Sequence, residues 1–301
     1  EHVPMLPTAP APSRIATLGA AAGSLKDGFF ALGYTPELDF EERYANPEHE
    51  DFTHVIEYRG TDRVGVQTLP VRLDDITRTA AGLVMAVGAP RGIIEVASAG
   101  CVEVSIAQLP GRPQSICAPG GSTTVICGNY PAFVLYRQQE TWFELPVPEG
   151  CPNLYKVFGF HPADVYFVGH DGCILHFDGR SLVPLEVPTS ANLVSIAPLD
   201  DRTLCVGGYH GTLLMGNRSG WRSVPTSQTE QPLLALGAFE GRVFFPAPDG
   251  LWAFDGRGAP VLVDPLPCRW ISTLDDGLVL ADVNEAWTYD GAVRAPLPTE
   301  V

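Results

Sequence analysis

His170-Asp171 and His210 come closest to a reactive set in this 301-residue chain. An imidazole beside a carboxylate can move protons, and two imidazoles with a carboxylate can hold a metal. Local sequence offers a plainer reason for them. Asp171 precedes Gly172 and His210 precedes Gly211, and such pairs form tight turns. Ser195 lies in Val194-Ser-Ile196, without the Gly-x-Ser-x-Gly context of a nucleophile elbow. His161 precedes Pro162 in a predicted turn, and His176 falls mid-strand, where a structural histidine is the simpler expectation. Gly19-Ala-Ala-Ala-Gly23 lacks the Lys-Ser/Thr of a phosphate loop, and nothing follows the GxGxxG pattern. Seven cysteines include no CxxC pair and no cysteine–histidine spacing suited to zinc. They are expected as buried, reduced thiols of a cytoplasmic protein, with a Cys101–Cys151 disulfide as the open alternative. No cofactor or metal is expected.

Charge narrows the partners. The net charge is −16, from 35 acidic against 19 basic residues. Such a surface repels phosphate backbones and attracts basic proteins, so no nucleic acid is expected. The acids concentrate in one place. Of residues 37–51 seven are acidic, only Arg43 is basic, and Phe40 and Tyr44 stand among them. Aromatic anchors flanked by acids suit the steering and gripping of a basic surface. The structural alternative is a solvated loop with a short helix over Pro36–Tyr44, packed on its own unit by Leu38, Phe40 and Tyr44.

The elements that must position these residues follow a repeat. Val165-Tyr-Phe-Val-Gly169 is followed by a tight turn, then Ile174-Leu-His-Phe-Asp-Gly179, then Leu182-Val-Pro-Leu-Glu-Val-Pro188. Anchored on the end of the second strand, the copies fall at Gly33, Gly88, Gly128, Gly169, Gly207, Pro246 and Ala281. Five of the steps are 35–41 residues and the first is 55. Repeats of ~40–50 residues with several short strands per unit mark a β-propeller. The expected fold is all-β, a single ring of seven four-stranded blades, or six if the divergent second unit pairs differently. Asp-Gly pairs at 171–172, 178–179, 249–250, 255–256 and 290–291 supply hairpin turns. A proline after each fourth strand suits an outer edge. Trp142 and Trp221, and Trp252 and Trp287, recur at equivalent positions and are expected to pack between blades. The propeller should span residues 16–301, with the acidic insertion at about 35–52 in the first blade. Residues 1–15 are a lead-in, or a ring-closing strand at Val3–Pro7. No apolar run of ~18 residues predicts a membrane helix. Ile15–Gly23 does not read as a signal peptide, and the chain starts at Glu1 rather than Met, which leaves a removed leader open.

In a propeller the loops between strands two and three share a face with the blade-to-blade connections. That assembles the expected partner-binding face: Tyr34, Glu37, Asp39, Phe40, Glu41, Glu42, Tyr44, Glu48, Glu50 and Asp51 from the first unit, with Arg91, Tyr130, His170, Asp171, Tyr209, His210, Asp249 and Glu285 from the later turns.

The stretch Tyr166-Phe-Val-Gly-His-Asp-Gly-Cys-Ile-Leu-His-Phe-Asp-Gly179 resembles the repeats of bacterial WD40/YVTN-like and photosystem-assembly-type propellers. The resemblance covers most of residues 16–298 and implies the fold only. It departs from true WD40 repeats in having no Trp-Asp, and it lacks the recurrent paired glycines of kelch and the Ser-x-Asp-x-Gly-x-Thr-Trp box of sialidases. An acidic propeller of this kind is also loosely similar to immunity proteins of secreted antibacterial toxins. That likeness implies a non-enzymatic protein that grips and neutralises a basic toxin domain. The alternatives are a lyase or hydrolase working through His170, Asp171 and His210, or a carbohydrate- or peptide-binding module. Turn residues that differ from blade to blade argue against repeated identical pockets. The oligomeric state is left open.

Overall fold

The computed structural model describes residues 17–34, 52–88, 92–104, 109–226 and 230–299. Their 28 strands form seven four-stranded antiparallel sheets, each built from four consecutive strands. The ring is therefore seven-bladed, and the divergent second unit makes a complete blade of its own from Asp75 to Val104. The inner strands are Thr17–Ser24, Asp75–Arg78, Arg112–Gly120, Leu154–His161, Leu193–Pro198, Gly237–Phe239 and Trp270–Leu274. The lead-in at 1–15 and the acidic insertion at 35–51 lie outside the described residues.

The recurring glycine has a steric cause. A Cβ on Gly88, Gly128, Gly169 or Gly208 would meet the carbonyl oxygen of Arg72, Arg112, Asn153 or Asn192 at 2.0–2.5 Å. Each of those carbonyls lies sixteen residues upstream, where the chain enters the inner strand of the same blade. The end of the second strand is where that connection crosses, and only hydrogen fits between them. In the fifth blade this moves the equivalent position from Gly207 to Gly208. In all five Asp-Gly pairs the glycine has positive φ. The prolines after the fourth strands are displaced in some blades: Leu182–Pro184 and Gly220–Ser223 end before Pro188 and Pro225. These prolines therefore belong to the connections that cross to the next blade.

Apolar clusters fill the seams between blades. Val125, Cys127 and Val134 of the third blade pack on Leu154, Val157 and Phe167 of the fourth. Phe167 is completely buried, and burying a side chain of that size stabilises by about 1.5–3 kcal/mol. The four recurrent tryptophans join these seams. Trp252 packs among fifth- and sixth-blade residues, and Trp221 stands edge-on to Tyr166 at 6.4 Å. Arg137 and Arg294 lie over the rings of Trp142 and Trp287 at 5.7 and 5.1 Å.

Among the described residues the four strands of blade one and the four of blade seven each come from one end of the chain, and the two blades meet at a seam. Asp276 bridges that seam by accepting from Ser24 Oγ at 3.0 Å, Leu25 N at 2.5 Å and Lys26 N at 3.2 Å. Ser272 Oγ accepts from Ala21 N and donates to Ala21 O, at 2.9 and 3.2 Å.

Candidate docking face and central channel

The blade-to-blade connections do more than link sheets. Asn153 precedes the inner strand of blade four. Its carbonyl accepts from His170 N at 3.0 Å, and its Oδ1 accepts from Tyr130 N at 3.3 Å. Asn192 repeats the arrangement one blade on, accepting from Tyr209 N at 2.9 Å and Asp171 N at 3.1 Å. Each asparagine thus pins the turns of two neighbouring blades. Tyr130, Asp171 and His210 are held at φ of 54–56°, in the left-handed region that tight hairpins use.

These clips put an aromatic crescent on the turn face of blades three to five. Tyr130 is 71% exposed and Tyr209 41%. Tyr155, half-buried between them, hydrogen-bonds through its hydroxyl to His170 Nε2, and the two rings lie 4.9 Å apart. Burial first, and then the neighbouring Tyr130 and Tyr209 phenols, push the Tyr155 hydroxyl above its usual range. Tyr209 and His210 stack edge-on at 6.5 Å. The face continues round the channel mouth with exposed Leu234, Leu266, Trp270 and Val283.

The expected site residues divide accordingly. Tyr130, His170, Asp171, Tyr209 and His210 come together on the crescent. Asp249 and Glu285 are exposed on their own turns, where Asp249 Oδ1 accepts from Trp252 Nε1 at 2.8 Å. Tyr34 turns inward, lines the channel and donates to Leu73 O at 2.6 Å. Glu37, Asp39, Phe40, Glu41, Glu42, Tyr44, Glu48, Glu50, Asp51 and Arg91 lie outside the described residues. Among the described residues no group of three His, Cys, Asp or Glu side chains is placed to hold a metal ion.

The inner strands enclose a channel of about 740 Å³. One wall is polar. Asp75 accepts from Ser115 Oγ at 2.6 Å and Ile116 N at 3.1 Å, and it pairs with Lys156 Nζ at 3.0 Å. Ser115 Oγ also accepts from Val157 N at 3.3 Å. Arg72 Nε binds Asp74 at 2.7 Å beside this group. The far wall carries Leu234, Ala235, Trp270 and Ile271. Asp75, Ser115 and Lys156 come from blades two, three and four, and their bonds run to one another. Chemically the group is a clamp: one Asp75 oxygen takes the Ser115 hydroxyl and the Ile116 N–H, and the other is paired with Lys156.

Sequence reasoning missed Asn153, Asn192, Tyr155 and the Asp75–Lys156 pair. A signal existed for some. Asn-Leu precedes the inner strand in two successive units, at 153–154 and 192–193. Lys156 is one of only two lysines in the chain and sits within an otherwise uncharged strand.

No family model matches the chain. It is 25% identical over 204 residues to Immune protein Tsi7 of Pseudomonas aeruginosa. That match spans 61% of this chain and 66% of the relative, just under two thirds of its length. Among solved structures, a catalytically inactive virginiamycin B lyase from Staphylococcus aureus, solved with quinupristin, superposes with a TM-score of 0.72. It is 10% identical, over 92% of this chain and 95% of that one. The WD40 repeats of RRP9 give 0.68 at 11% identity, over 98% of each chain. YCF48 from Cyanidioschyzon merolae gives 0.63 at 12%, over 98% and 99%. These structural likenesses establish the fold alone. By fold the chain stands with the WD40- and YCF48-type β-propellers, and by sequence it is similar to an immune protein of Pseudomonas aeruginosa.

Proposed function

We propose that this propeller is a non-enzymatic docking protein of the immune type, which binds a basic toxin domain on its turn face and neutralises it by covering it. The observation that carries this is the sequence likeness to Immune protein Tsi7. Geometry supports it with the crescent of Tyr130, Tyr155 and Tyr209, since tyrosines exposed on a rigid, internally pinned face are what tight interfaces use as anchors. The net charge of −16, concentrated in Glu37 to Asp51, supports a basic partner by long-range attraction. A stable complex of this kind buries roughly 1,600 Å² or more.

The test is affinity capture. The purified protein is used as bait in a lysate of its source organism at low and high salt, with retained proteins identified by mass spectrometry. One basic protein, held at low salt and weakened at high salt, is the expected result. If nothing is retained, or only acidic proteins are, the proposal fails.

A further inference from the structure

Four of the seven cysteines gather at one seam, between blades three and four, and they are not alike. Cys127 is fully buried, and Cys117 is partly buried against the same cluster on the channel side. Cys151 and Cys173 are partly exposed at the edge of the cluster, on the turn-face side. Cys151 stands in the connection that enters blade four, two residues before Asn153. Cys173 closes the blade-four turn: its N–H donates to His170 O at 2.9 Å, and its carbonyl accepts from Gly169 N at 3.0 Å. Because His170 N also bonds Asn153 O, the two cysteine-bearing segments are held side by side by backbone. Both side chains lie against the same edge of the cluster and interact there. Cys151 Sγ in turn donates to Pro152 O at 3.4 Å.

We propose that Cys151 and Cys173 form a dithiol site that closes to a disulfide when the protein meets an oxidised low-molecular-weight disulfide such as glutathione disulfide. The Cys151 thiolate attacks one sulfur of that disulfide, giving a mixed disulfide and expelling one glutathione thiolate. Cys173 loses its proton and attacks Cys151 Sγ, and the second glutathione leaves. Two protein thiols are oxidised and one glutathione disulfide is reduced to two thiols, so electrons and protons balance. Selectivity follows from the surroundings. Interaction with Cys173 holds the Cys151 thiol below its usual range, and the same interaction, with burial, raises Cys173. Burial pushes Cys101 and Cys268 up to about 11 and Cys205 to about 12, and lifts Cys117 and Cys127 further. The low-pKa, accessible member of a pair reacts first. The bridge would join segments twenty-two residues apart and fix the turn that carries His170 and Asp171.

The test exposes the native full-length protein to glutathione disulfide, quenches it with acid, and counts free thiols by alkylation and intact mass after denaturation. The expected result is loss of two of the seven thiols and of two hydrogen atoms in mass, with a peptide map linking Cys151 to Cys173. Cys173→Ser should stop at a mixed disulfide on Cys151, and Cys151→Ser should resist oxidation. Seven thiols remaining, or a linkage between other cysteines such as Cys117 and Cys127, would overturn the proposal. The wild-type peptide map decides it even if a serine variant folds poorly.

Discussion

Replacing Asp75 with alanine should show how much of the ring hangs on one channel carboxylate. Its side chain is 10% exposed and its partners come from two other blades. The substitution strands the Ser115 hydroxyl and the Ile116 N–H, both in buried surroundings. Each unsatisfied donor costs about 1–3 kcal/mol. The Lys156 side chain is 32% exposed and can turn to water, so its loss of a partner adds under about 1 kcal/mol. The sum is about 2–7 kcal/mol. Asp75→Asn keeps one acceptor and should cost about half as much. Equilibrium unfolding in urea measures this, with an unchanged m-value showing that the folded state is intact. A double-mutant cycle separates the partners. Asp75 and Ser115 should couple by about 1–2 kcal/mol, and Asp75 and Lys156 by less than about 1 kcal/mol. A loss below about 1 kcal/mol for Asp75→Ala, or additive Asp75 and Ser115 effects, would refute the clamp.

Three further outcomes follow from particular residues. His54 is buried, and desolvation pushes its pKa down to about 4 from an ordinary 6.5. The unfolded chain therefore binds the proton first, and His54's contribution to stability is lost as pH falls below 6.5. Between pH 6.5 and 5 that loss is about 1–2 kcal/mol, and His54→Gln should flatten the slope in an unfolding series over that window. Gly169→Ala places a methyl 2.2 Å from Asn153 O and should cost about 3 kcal/mol or more, whereas Gly150→Ala, with open space around it but a φ of 73°, should cost about 1 kcal/mol. Reversing Glu41, Glu42, Glu48 and Glu50 should slow association with a captured basic partner by about tenfold or more at low salt and reduce the salt dependence. Stopped-flow or surface-binding kinetics would show unchanged rates if the insertion is idle.

How much of this was legible follows the locality of each cause. The ring was readable because its marks are short-range and recur: apolar second strands, a glycine near the end of most of them, Asp-Gly at several hairpins. The slip of Gly207 for Gly208 came from two adjacent glycines of which only the second faces the Asn192 carbonyl. The turn face was legible in part for the same reason, since strand-two ends fix where Tyr130, His170 and Tyr209 emerge. The clips were not. Asn153 and Asn192 act on turns of two blades at once, and a single strand pattern does not reveal a contact made across a seam. Asp75, Ser115 and Lys156 are forty or so residues apart and meet only because the ring curves their three inner strands around one channel. Period-two alternation says that a side chain faces inward, not which neighbour it finds there.

The most direct measurement compares faces in one capture experiment. Wild type, a crescent variant (Tyr130→Ser with Tyr209→Ser) and an outer-strand variant (Phe143→Ser, 50% exposed) serve as parallel baits, each checked for an unchanged fold. Docking through the turn face predicts one basic protein on wild type and on the outer-strand variant. The crescent variant should bind it about thirtyfold or more weakly, since two anchors of this kind are together worth at least about 2 kcal/mol. Equal retention by the crescent variant, or loss on the outer-strand variant instead, would contradict docking through this face.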